Sequence, residues 1–184
     1  MRYFLLLSML TIISYTSEAQ PMKATAPTAD EVIKTALTKA VKENKKVLLM
    51  FHASWCGWCH RMDTSLNDPV CKKFFDDNFV ITHLVVDESA DKKDLENAGA
   101  NELRTKYHGD GLGIPFWLIL DKNGNLLADS KIRKNGEGPE GGNNIGCPAN
   151  EDEVAYFVEL LKKTTSLKAD QLAIIATRFR KNAL

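Results

Sequence analysis

The spacing of apolar residues changes along the chain, and each change marks an element. Val32, Ile33, Ala36, Leu37, Ala40 and Val41 form one stripe at helical spacing. Thr28 and Glu31 stand just before it, at the spacing of a capping box. Val47 to Phe51 then run without a polar break, the pattern of a strand buried on both faces. "HRMDTSL" reads as helix, and Pro69 should break it, since the residue before a proline is biased away from helix. "DPVCKKFFDDN" predicts a second helical segment with the proline in its first turn. "FVITHLVVD" is the next strand, and residues 91–107 form a polar, mostly helical crossover.

"GIPFWLILD" and "NLLADSKI" flank "KNG", a tight-turn signal, and predict an antiparallel hairpin. A Gly-rich surface loop covers 134–149, and a helix opens near Asn150 with Val154, Phe157, Val158 and Leu161 on one face. Leu172, Ile175 and Phe179 repeat that spacing within residues 167–182, a segment able either to dimerise or to pack onto its own domain. Alternating helices and strands, closed by a hairpin and a helix, imply a three-layer α/β domain.

The extreme amino terminus has a different character. Arg2, the run "YFLLLSMLTII" and small residues at Ser17 and Ala19 match a secretory signal cut after Ala19. The run is short for a membrane span, which takes about 20 residues, so an uncleaved anchor is the weaker reading. The expected organisation is a signal peptide at 1–19, a flexible leader at 20–28, a domain at 29–163 and a helical extension at 164–184. The expected location is periplasmic or secreted. Basic and acidic residues balance at 24 each, which favours neither nucleic acid nor an anionic membrane surface as partner. Four cysteines are too few for a disulfide-built mini-protein, and leave room for one redox pair and two others.

The chemistry concentrates in "WCGWCH", Trp55 to His60. One parse is a Cys-x-x-Cys dithiol; the other is Cys-x-x-Cys-His, a haem attachment site with His60 as iron ligand. Haem asks for a distal Met or His and a largely helical shell. Met50 and Met62 are too close in sequence to supply that ligand, His83 falls on a strand and His108 on a polar loop. A structural zinc site needs a second ligand pair, for which only scattered Cys71, Cys147 and the four histidines are on offer. A dithiol switch needs what the pattern provides, a strand delivering Cys-x-x-Cys to a helix start. Unpaired N–H groups and the helix dipole there stabilise a thiolate. Cys56 then serves as the exposed attacking thiolate and Cys59 as the shielded resolving thiol. No metal and no cofactor is expected.

"FHASWCGWCHRMD" resembles the active-site segment of thioredoxin-like proteins, and "GIPFWLILDKNG" resembles their cis-proline segment with the hairpin after it. The resemblance covers residues 29–163 and is nearest to exported bacterial members with a WCxWC site. It implies a thioredoxin-like fold, a central mixed sheet flanked by helices, here with an extra C-terminal helix. It implies thiol–disulfide exchange with protein substrates through a redox-active Cys56–Cys59 disulfide, an unidentified redox partner and a monomeric protein with no membrane attachment once processed. Cys56 matches the nucleophile and Cys59 the resolving cysteine. Trp55, Gly57, Trp58, Ile114 and Pro115 match positions that contact substrate, with the peptide bond before Pro115 cis. The alternative is a redox-inactive binding module with a structural disulfide.

Two departures stand out. Met50 occupies the place of the buried acid of thioredoxins proper, and Gly57-Trp58 replaces Gly-Pro. His60 is an auxiliary candidate for the missing proton acceptor. Cys147, by its place before the last domain helix, is either a rim thiol or a small buried hydrophobe. A Cys71–Cys147 bridge would suit an oxidising compartment.

Overall fold

A computed structural model describes residues 25–183. The expected signal peptide, its cleavage point at Ala19 and most of the leader lie outside the described residues. The elements in order are helix α1 (Ala29–Glu43), strand β1 (Lys46–His52), helices α2 (Gly57–Leu66) and α3 (Lys72–Asn78), and strand β2 (Phe79–Val85). A 3₁₀ turn (Ala90–Leu95), helix α4 (Ala100–Lys106), and strands β3 (Phe116–Leu120) and β4 (Leu126–Asp129) follow. The chain then forms a small ribbon, β5 (Lys131–Ile132) with β6 (Asn143–Asn144), and ends in helices α5 (Glu151–Thr164) and α6 (Ala169–Arg180).

The main sheet has the order β2-β1-β3-β4. β1 pairs parallel with β2 and antiparallel with β3, so the sheet is mixed. Its central strand explains the unbroken apolar run. Val47, Leu49 and Phe51 pack with Ala36 and Ala40 of α1 on one face. Leu48 and Met50 pack with Met62, Phe75, Phe157 and Phe179 on the other. A strand with helices on both sides has no solvent face and no need of polar alternation. β3 divides the same way, Phe116 and Leu118 to the first cluster, Trp117 and Ile119 to the second.

Caps written in the sequence are made. Thr28 accepts from Glu31 N–H while the Glu31 carboxylate accepts from Thr28 N–H, and Asn150 and Glu153 repeat the device at α5. α6 packs against α5 and buries Leu172, Ile175 and Phe179 in the main core beside Phe75 and Phe157. Of the two readings of the tail, packing onto its own domain describes this helix.

Two features differ from expectation. Pro69 lies in the turn between α2 and α3, not in a helical first turn: the Asp68 carbonyl accepts from Cys71 and Lys72 N–H and delays α3 to Lys72. "NLLADSKI" is not one strand but two, parted at Ser130, whose backbone serves both Trp117 and Ile145. Lys131 beyond it is fully buried. Its ammonium donates to the carbonyls of Pro139 (2.6 Å), His108 (3.1 Å) and Tyr107 (3.4 Å), tying the Gly-rich loop to the end of α4. Burial lowers its pKa from the usual lysine value.

Candidate active site

β1 delivers the chain through Ala53–Trp55 to the first turn of α2, where Cys56 is the N-cap. The Cys59 N–H points at Cys56 Sγ from 3.1 Å and is shared with the Cys56 carbonyl, also at 3.1 Å. The two cysteines, one helical turn apart with Cα atoms 5.2 Å apart, are joined as a disulfide. Cys56 is only 3% exposed, so it is not the open sulfur expected from sequence. Its sulfur packs in a small cluster with Ala53, Cys59 and Ile114. What is exposed is the pair of indoles around it, Trp55 at 58% and Trp58 at 48%.

Each indole is held. Trp55 Nε1–H donates to the Asp87 carbonyl at 2.8 Å, and Asp87 in turn receives a two-pronged contact from Arg104. Beside it the buried Glu88 carboxylate accepts from the N–H and hydroxyl of Ser54. Asp87 and Glu88, just beyond β2, therefore grip the two residues before Cys56. Trp58 lies under the Arg61 guanidinium, 4.8 Å from its ring centroid.

The Ile114–Pro115 peptide is cis, and the Ile114 carbonyl oxygen lies 3.6 Å from Cys56 Sγ. Asn144 Nδ2 donates to the carbonyls of Gly113 (2.5 Å) and Pro115 (3.1 Å), while its Oδ1 accepts from Gly146 N–H. Gly146 has φ +56°, a left-handed conformation that suits glycine, beside Pro115. A groove of about 430 Å³ runs past these groups, lined by Trp58, Ile114, Pro115, Cys147 and Ala183 among others.

The auxiliary candidates divide. His60 is exposed, and its Nε2–H donates to the Ser54 carbonyl at 3.0 Å, bracing the turn before Cys56. Cys147 combines its two sequence readings, being 4% exposed while lining the groove. Asn182 Nδ2–H points at its sulfur from 3.3 Å, and burial pushes the thiol up to about 12. The Cys71–Cys147 bridge is not formed: both are free, buried thiols. Cys71 instead donates to the Ser65 carbonyl at 3.0 Å, and burial, with Asp68 nearby, pushes it up to about 11.

Met50 is buried among apolar side chains, so no acid stands at that position. The adjacent β2 residue in register is His83, bonded to Asp63 of α2 at 2.9 Å and 4.8 Å ring to ring from His52. Burial, then the neighbouring His83, lowers the His52 pKa. Sequence reasoning missed Glu88, Asn144 and Asn182. Nothing in the Gly-rich loop distinguishes Asn144 from Asn143, and a glutamate after a strand reads as a solvated loop residue. Among the described residues no cluster of His, Cys, Asp and Glu could hold a metal ion, and no helix is long and apolar enough to cross a membrane.

Known structures provide the wider comparison. The chain is similar to a disulphide isomerase from Xylella fastidiosa Temecula1, at 19% identity over 90% of this chain and 98% of the other, TM-score 0.48. It is also similar to an oxidoreductase named DsbH, at 21% identity over 84% and 95%, TM-score 0.43. A third is the oxidised C-terminal domain of DsbD from Neisseria meningitidis, at 21% over 56% and 84%, TM-score 0.39. No curated protein matches. Residues 28–122, just over half of the chain and including both cysteines, match the family model described as thioredoxin-like, and the chain belongs to the thioredoxin-like family.

Proposed function

We propose that the protein is a thiol–disulfide oxidoreductase acting on protein substrates in the periplasm or another exported compartment. The observation that carries this reading is the placement of Cys56 at a helix N-terminus, disulfide-linked to Cys59 and beside the Ile114 carbonyl at the groove. In the reduced protein the Cys59 N–H and the positive end of α2 stabilise a Cys56 thiolate. That thiolate attacks one sulfur of a substrate disulfide, and the other substrate sulfur leaves as a thiolate that takes a proton from solvent. Cys59, once deprotonated, attacks Cys56 and releases the remaining substrate thiol. The Cys56–Cys59 bond forms, and two electrons pass to the substrate. The reverse sequence donates the disulfide.

Trp55, Gly57, Trp58, Ile114 and Pro115 serve as the substrate-contacting surface in this reading. Location rests on the pattern at residues 1–19 and is checked by fractionating cells that express the full chain. The activity test is reduction of insulin by dithiothreitol with catalytic protein, together with the potential of the Cys56–Cys59 couple. Acceleration, with a potential between about −120 and −270 mV, supports a working dithiol. No acceleration, with a potential below about −300 mV, marks a structural bridge and overturns the reading.

A further inference from the structure

The C-terminal turn, Lys181–Ala183, reaches back to the groove, and Asn182 is its anchor. The Asn182 side chain is buried and fully used. Its Nδ2 donates to the Pro148 carbonyl at 3.0 Å and points at Cys147 Sγ from 3.3 Å. Its Oδ1 accepts from the Ser65 hydroxyl of α2 at 2.9 Å and from Arg178 at 3.3 Å. Its backbone carbonyl accepts from Arg61 at 2.7 Å, and Arg61 is the cation over Trp58. One residue thus joins α2, which bears Trp58, to the Cys147–Pro148 segment across the groove. The next residue, Ala183, lines the groove itself. Arg180 strengthens the same side by donating to the Ala149 carbonyl at 2.9 Å.

We infer that the C-terminal turn is a wall of the substrate groove, and that Asn182, through Arg61 and the Cys147–Pro148 segment, is a positioning residue that makes the site selective for extended polypeptide disulfides over small ones. This rests on the proposed activity. A substrate long enough to lie along the groove meets Trp58, Pro115 and Ala183 together, whereas a small dithiol needs access to the Cys56–Cys59 bond alone. Loosening the wall therefore weakens the grip on a polypeptide and leaves the chemistry of the couple as it was.

The experiment compares Asn182→Ala and the exposed-site variant Arg61→Lys with the unaltered protein. Insulin is the polypeptide probe and dithiothreitol the small one. The expected result is a rise in KM for insulin of about three- to tenfold, the scale of one or two lost hydrogen bonds. Little change is expected in kcat, in the rate at which dithiothreitol reduces the disulfide, or in the potential of the couple. In the oxidised protein, where Cys56 and Cys59 are blocked, N-ethylmaleimide should label Cys147 at least about tenfold faster in Asn182→Ala than in the parent. If Asn182→Ala does not fold, the KM of Arg61→Lys decides. An unchanged KM in folded variants overturns the inference, as does a shift in potential or in dithiothreitol rate that matches the loss with insulin. A parent protein inert towards insulin sinks the proposed activity; unchanged Cys147 labelling then sinks this inference separately.

Discussion

Cys56 and Cys59 on one hand, and Cys71 and Cys147 on the other, are four cysteines that exposure does not tell apart. Their exposures are 3%, 0%, 1% and 4%. The direction of the hydrogen bond at sulfur does separate one of each pair, Cys56 and Cys71. Cys56 caps the start of α2, where its sulfur receives the Cys59 N–H. Cys71 lies against the end of the same helix, where its S–H donates to the Ser65 carbonyl. A helix start offers donors and positive potential and favours a thiolate; a helix end offers acceptors and negative potential and favours the thiol. One ten-residue helix thus sets opposite surroundings for two cysteines, donors at its start and an acceptor at its end.

The most severe test of that contrast removes each sulfur. Cys56→Ser should bring insulin reduction down to the uncatalysed background, whereas Cys71→Ser should keep it within about twofold of the parent. Equal losses in the two variants would erase the contrast. Cys59→Ser sharpens it from the other side: attack by Cys56 proceeds without resolution, and a mixed disulfide with substrate should accumulate on a non-reducing gel.

Alkylation reads the same contrast without a substrate. With thiols pushed up to about 11 and about 12, Cys71 and Cys147 are ionised at pH 7 to only about one part in ten thousand and one in a hundred thousand. In the reduced protein at pH 7, iodoacetamide should therefore modify Cys56 at least about a thousandfold faster than either, as read by peptide mass spectrometry. Denaturant should bring the rates together. Comparable rates in the native protein would mean that α2 confers no difference.

Stability against pH follows with a fixed sign. A raised thiol pKa means that the folded state holds its proton more tightly than the unfolded chain, whose value is about 8.5. The contribution is complete below that value and is lost as pH rises towards about 11 for Cys71 and about 12 for Cys147. Unfolding free energies from urea titrations should fall between pH 8 and about pH 10.5, by on the order of 2 kcal/mol per thiol. Cys71→Ser should flatten its share of that slope, and an unaltered slope would show that Cys71 does not carry it.

The sequence made one half of this contrast legible and hid the other. The α1 capping box, the helix start near Asn150, the apolar run of β1 leading into Cys56, and the α6 stripe are local patterns, and they predict the elements that form. Cys71 gave no such signal, because its environment comes from a turn around Pro69 and from α6 closing over it. The same holds for Lys131, a polar letter whose three carbonyl partners come from the end of α4, 23 and 24 positions back, and from Pro139, eight positions on. Glu88, Asn144 and Asn182 shape the site through contacts across 29 to 117 positions of sequence. No window of periodicity spans such distances. What the spacing could not convey either is that Cys56 lies covered, since its cover includes Ile114 from the other side of the groove.

The smallest effect concerns why Cys71 is a cysteine at all. In an unbroken helix the Ser65 carbonyl would accept from the N–H four residues on, but that residue is Pro69, which has none. The Asp68 N–H reaches it only at 3.4 Å, and the Cys71 S–H at 3.0 Å supplies the better-placed donor. Cys71→Ser keeps a donor of similar size, whereas Cys71→Ala removes it and leaves a buried carbonyl poorly satisfied. The alanine variant should be less stable than the serine variant by about 1 kcal/mol in urea unfolding at pH 7. If alanine equals or exceeds serine, the sulfur is there for its volume and not for its bond. The helix end would then owe its neutrality to burial alone, and the contrast with Cys56 would rest on the N-terminus of α2 without help from its other end.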